Sequence, residues 1–118
     1  MAMLTWEVLC KDWMEAANTS NPTKLLPHLS EDFNWSTSVR AKEDGRSAGL
    51  YYRDMKDWCL NASNNITEGE YENTIHDGED ILVGTHLVTR NGSRFRVMCA
   101  AKMRNGKVYD YHHSMAPL

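Results

Sequence analysis

Trp6, Leu9, Cys10, Trp13 and Ala17 recur at three- and four-residue steps, with Glu7, Lys11, Asp12 and Glu15 filling the other face. That spacing predicts an amphipathic first helix. It runs out at Asn18-Thr-Ser-Asn-Pro22, where Asn21 can cap and Pro22 can open a short second helix carrying Leu25, Leu26 and Leu29, limited by Pro27. Phe33-Asn-Trp-Ser-Thr37 is aromatic and β-branched and reads as a strand. Arg40 to Arg46 forms a polar connection. Ser47, Leu50, Tyr51, Met55, Trp58 and Ala62 then describe a third helix, stopped by Asn61-Ala-Ser-Asn-Asn65.

The second half alternates at the strand period and is punctuated by Asp77-Gly78, Asn91-Gly92 and Asn105-Gly106, each a favoured pair for a two-residue hairpin turn. Three hairpins in series predict a four-stranded antiparallel meander. Turning at Asn91-Gly92 pairs Arg90 with Ser93, Val88 with Phe95, His86 with Val97, Gly84 with Cys99 and Leu82 with Ala101. Carried through Asn105-Gly106, the register sets Met103 beside Val108, Ala101 beside Asp110 and Cys99 beside His112. Carried through Asp77-Gly78, it adds Tyr71, Asn73 and Ile75 to the same face. The opposite face collects Glu70, Glu72, Val83, Thr85, Leu87, Arg94, Arg96, Met98, Ala100, Lys102, Tyr109, Tyr111 and His113. Apart from Arg90 at the turn, the first face holds no Lys or Arg, and it is assigned to the core. A one-residue slip would exchange the two sets.

Composition narrows the class. The 118 residues suit one domain over 1–118, and 42% hydrophobic with 25% charged residues is ordinary for a folded chain. A net charge of −3 and the lack of a basic run argue against nucleic acid as a partner. Neither a leader pattern nor a long apolar run is present, so no membrane association is expected. Cys10, Cys59 and Cys99 are odd in number and widely spaced, which fits reduced thiols in a cytoplasmic protein. Five Asn-x-Ser/Thr matches, beginning at Asn18, Asn34, Asn61, Asn65 and Asn91, are read as chance in an Asn-rich chain.

Three helices and then a curved antiparallel sheet make an α+β chain that resembles the nuclear-transport-factor-2-like (NTF2-like) superfamily, in its SnoaL-like branch. Leu29-Ser-Glu-Asp-Phe33-Asn-Trp35 is similar to that superfamily's approach to its first strand. Asn105-Gly-Lys-Val108-Tyr-Asp110 is similar to its Asp-Gly-Lys-Ile-x-Glu final hairpin. The resemblance spans nearly the whole chain. It implies a cone-shaped fold whose concave face and helices enclose an apolar pocket and whose outer face often pairs two subunits. It also implies that carboxylates, tyrosines or histidines on the concave face would do any chemistry, which here means Tyr71, Asn73, His86, Asp110 and His112. No single enzyme's complete set of site residues transfers.

Asp110 and His112 are two apart on one strand, about 7 Å along it, so both point the same way. A base and an acid in an apolar cavity suit proton transfer beside a carbonyl, or dehydration. His86 adds a third group, and Gly84, Cys99 and Ala101 leave volume for a small molecule. Trp13 and Trp35 would line it with Cys99, although aromatic residues at helical spacing more often form core. Adjacent His112 and His113 point to opposite faces, so no metal site is expected, and no cofactor motif occurs.

These residues support two readings. One is a non-catalytic pocket protein for a small, largely apolar molecule. The alternative is a metal-free acid–base enzyme of isomerase, dehydratase or polyketide-cyclase type using Asp110 and His112. A homodimer through the outer sheet face is expected in either case, because Val83, Leu87, Met98, Ala100, Tyr109 and Tyr111 would form an apolar patch there.

Overall fold

The first helix, α1 (Trp6–Thr19), is fixed at its start by two acceptors: the Thr5 hydroxyl accepts from the Val8 N–H at 3.2 Å, and the Asp77 carboxylate accepts from the Trp6 N–H at 2.7 Å. Ser20 ends it in the left-handed conformation, φ 56°, with its N–H on the Ala16 carbonyl. The structure is a computed structural model that describes residues 3–37, 50–62 and 66–118. The polar connection Arg40–Arg46, the expected helix start at Ser47 and residues 63–65 of the expected helix stop lie outside these.

The Asn21 side chain accepts from the Thr23 N–H, but it caps no helix, because no second α-helix forms there. The segment is instead a turn at Pro22 followed by a single 3₁₀ turn, Leu26–His28, with Pro27 at its middle position. Strand β1 runs Leu29–Thr37. Leu50 and Tyr51, expected as helical, instead pair with β1 as the two-residue strand β2. A 3₁₀ turn (Tyr52–Asp54), in which the Asp54 carboxylate accepts from the Tyr51 N–H, then leads into α2 (Met55–Ala62). Two α-helices are therefore found among the described residues where three were expected.

Strands β3 (Ile66–Asp77), β4 (Ile81–Arg90), β5 (Ser93–Arg104) and β6 (Lys107–Pro117) complete a sheet ordered β2-β1-β6-β5-β4-β3. The sheet is mixed: β1 lies parallel to β6 and every other pair is antiparallel. Helix α1 lies across β3 and β4, and its Trp6, Leu9, Cys10, Trp13 and Met14 fill the concave side with Phe33, Trp35, Met55 and Cys59. This is an α+β chain whose curved sheet wraps one apolar core.

All five β4–β5 pairs predicted from Asn91-Gly92 are present. Both residues of that turn have positive φ, 51° and 82°, as do Asn105 and Gly106 at 54° and 77°. Beyond Asn105-Gly106 the register departs from expectation. Met103 faces Val108 as predicted, but Lys102 faces Asp110, Ala101 faces Tyr111 and Cys99 faces His113. Tyr109 is the extra residue of a bulge, half-buried beneath the Arg104 guanidinium at 4.1 Å, and it inverts the rest of β6.

The inversion is what burial energetics favour. The uninterrupted register would bring Asp110 into the apolar core, where an unpaired carboxylate costs several kcal/mol or shifts to its neutral form. The bulged register buries Tyr111 instead, stacked on Trp13 at 4.4 Å. Asp77-Gly78 also departs from a two-residue turn: Asp77 pairs with Leu82, and the Gly78 N–H reaches the Ile81 carbonyl. Register shifts at three places along β3 then leave Asn73 and Ile75 exposed.

Candidate functional site

The concave face is built from Leu82, His86 and Val88 on β4, Val97, Cys99, Ala101 and Met103 on β5, and Val108, Tyr111 and His113 on β6. Helix α1 closes over it. Between them runs a seam walled by Trp6, Leu9, Cys10, Trp13, Met14, His86 and Tyr111, nowhere wide enough for a water molecule. The volume that Gly84 was expected to leave is taken by Trp6, whose indole lies where a glycine β-carbon would stand and donates to the Thr85 carbonyl at 3.4 Å.

His86 is the one histidine lining the seam. It is 6% exposed and sits 6.1 Å from the Trp6 ring, and its Nδ1 has no hydrogen-bond partner. Burial lowers its pKa to about 4, a shift that the Glu72 carboxylate on the far side of the sheet only partly opposes. The imidazole is therefore neutral at pH 7. An unpaired nitrogen in such surroundings costs about 1–3 kcal/mol, so His86 carries an unsatisfied demand for a polar group.

The rest of the wall is satisfied. The Tyr111 hydroxyl donates to Cys99 Sγ at 2.8 Å, and burial holds that phenol in its neutral form. Burial likewise raises the Cys99 thiol and pushes Cys10 up to about 12, so neither is a thiolate nucleophile. Trp35 and Trp58 meet edge to face at 4.9 Å, and Trp13 meets both at steep angles. Trp35 Nε1 donates to His113 Nδ1 at 2.7 Å.

The residues expected to form one site are not brought together. His86, Trp13, Trp35 and Cys99 share the core, and Tyr71 stands opposite His86 in the ladder, half-buried, its hydroxyl 2.8 Å from that of Thr74. Asn73 is exposed at the edge strand. Asp110 and His112 lie on the outer face: Asp110 is 3.9 Å from Lys102 Nζ, and His112 is exposed opposite Ala100. Tyr111 and His113, expected on the outer face, occupy the concave positions expected of Asp110 and His112. The signal that identifies them is chemical: Asp110 is the only charged residue the unbroken register would place in an otherwise apolar row, whereas a slip of one exchanges it for a tyrosine.

Among the described residues no three His, Cys, Asp or Glu side chains come together as a metal site, and no helix is long and apolar enough to cross a membrane. No family model matches the sequence, and no curated protein does. Solved structures do. An NTF-2 like protein of unknown function from Burkholderia xenovorans superposes with a TM-score of 0.73 at 10% identity, over 92% of this chain and 80% of that one. A SnoaL-like protein of unknown function from Burkholderia thailandensis gives 0.71 at 15%, over 98% and 99%. A hypothetical protein with a ketosteroid isomerase-like fold from Catenulispora acidiphila, in complex with trimethylamine, gives 0.64 at 12%, over 93% and 85%. The chain has the NTF2-like fold, and at these identities the likeness concerns the fold alone.

Proposed function

We propose that this chain is a binding protein that seats a small, largely apolar molecule bearing one hydroxyl between α1 and the sheet, against His86. The observation that supports this is the unpartnered Nδ1 of His86, a residue that lines a seam whose other walls are apolar or already hydrogen-bonded. A neutral imidazole offers one N–H and one lone pair. A hydroxyl answers either, so the match does not depend on the tautomer. Trp6, Trp13 and Tyr111 favour a flat molecule. The Catenulispora neighbour's complex with trimethylamine is a case of this fold holding a small compound. Three buried, unpaired thiols fit a reducing compartment such as the cytoplasm.

The acid–base alternative loses its pair: Asp110 and His112 face away from the concave side. A binding role needs neither. Native mass spectrometry of the purified protein, then titration with benzyl alcohol and with toluene, tests it. A retained hydroxylated compound, or binding of benzyl alcohol over toluene that is lost in His86→Leu, supports the reading. Equal binding of both probes, or of neither, overturns it.

The same reading includes a homodimer through the outer sheet face. Val83, Leu87, Ala100 and Tyr109 are half-buried there and Met98 is 53% exposed. Tyr111, expected in that patch, belongs to the core. Arg94 pairs with Glu70, Arg96 grips Glu72 through two bonds of 2.8 and 2.7 Å, and Lys102 faces Asp110. The face is thus largely neutralised within one subunit, and two copies can meet on it without net repulsion.

A further inference from the structure

The seam that holds His86 is closed, so any ligand must move a wall to enter. Most walls are locked. Trp6 is wedged against Gly84 and bonded to Thr85, and Trp13 touches Phe33, Trp35, Trp58 and Tyr111. Tyr111 is tied to Cys99. Leu9 and Cys10 are buried to within 1%. Met14 differs in three respects. It is 6% exposed, it is unbranched with several rotatable bonds, and it rests on Gly69, where a β-carbon would collide with its sulfur.

Gly69 belongs to β3, the edge strand of the sheet, at a break in the β3–β4 ladder between Thr67 and Glu70. Glu68 beside it has φ 51°. A way to His86 between α1 and the sheet edge would pass over Gly69, which has no side chain, and under Met14, whose unbranched side chain has several rotatable bonds. We infer that Met14 is the gate of the His86 site, seated on Gly69 when closed, and that it admits a flat hydroxylated molecule by rotating off that glycine. This rests on the binding reading above.

Stopped-flow tryptophan fluorescence with benzyl alcohol tests it. Met14→Ala should raise the association rate several-fold over the parent chain, and Met14→Leu, which keeps the volume but stiffens the side chain, should lower it. Because Met14→Ala opens a core cavity, thermal unfolding must first show that it folds; if it does not, Met14→Leu decides. Association unchanged in the folded variants, with binding still lost in His86→Leu, would sink the gate and leave the site standing. No binding by the parent or either variant would remove both.

Discussion

Gly84 and Trp6 occupy one volume: a β-carbon at position 84 would overlap Cδ1 and Nε1 of the indole. A glycine that in sequence looks like room for a ligand is instead the seat that lets α1 approach β4. Gly84→Ala should cost about 1–3 kcal/mol, at the upper end because the wall opposite is a rigid ring system. Urea unfolding of the single variant checks this. Combined with Trp6→Leu the two penalties should fall short of their sum, since the smaller side chain relieves the collision. Strict additivity would show that they do not compete for this space.

His86 sets an expectation for acid. Its folded pKa of about 4 lies below the ordinary histidine value of 6.5, so between those limits the unfolded chain binds the extra proton. Stability from keeping this group neutral is complete above about pH 6.5, declines as pH falls, and is lost through about pH 4, a change of at most about 3 kcal/mol. Comparison of denaturant midpoints across that window isolates it: His86→Leu should flatten the slope relative to the parent. A parallel slope in both proteins would assign the acid sensitivity to other groups.

The β6 bulge separates residues that matter for folding from those that do not. Tyr111→Ala should cost about 3–5 kcal/mol, as for other large aromatic truncations in a core, and Tyr111→Phe about 1 kcal/mol through the lost bond to Cys99. Asp110→Asn, whose partner Lys102 is 3.9 Å away and half-exposed, should stay within about 0.5 kcal/mol. Thermal unfolding of the three variants gives the order. If Asp110→Asn proved the most damaging, the inward assignment of Tyr111 would be wrong.

Turn chemistry decides how much of this fold is readable from the sequence. Asn91-Gly92 fixed every predicted pair of β4 with β5, because two positive-φ residues leave the hairpin one geometry and no bulge intervenes. Asn105-Gly106 governed only as far as Met103 and Val108. There Tyr109 is extruded, and the cause is tertiary: β1 joins β6 in parallel at the same level, the Ser30 hydroxyl donates to the Val108 carbonyl at 3.2 Å, and Tyr111 gains Trp13. None of this is local in sequence. Trp6, Trp13 and Cys99 were legible as inward-facing, but not that Trp6 would fill the volume beside Gly84. Asp110 and His112 failed as a site because their two-residue spacing puts them on one face without saying which.

The outer face sets the last expectation. A self-pairing interface brings each residue near its two-fold mate, so a charge introduced at the centre meets a like charge. Met98 would be the centre of the proposed interface: it is 53% exposed, paired with Thr85 on one side and Ser114 on the other, with Val83 and Ala100 in the next row. Met98→Glu adds nothing buried within the subunit, so its thermal unfolding as a monomer should be near that of the parent chain. Sedimentation at micromolar concentration should give the parent twice the 13.5 kDa chain mass and the variant that mass alone. A parent chain that sediments at 13.5 kDa would mean that the arginine stems of Arg94 and Arg96 shield the patch well enough for it to stay in water. A dimer unmoved by Met98→Glu would place the interface elsewhere on the surface.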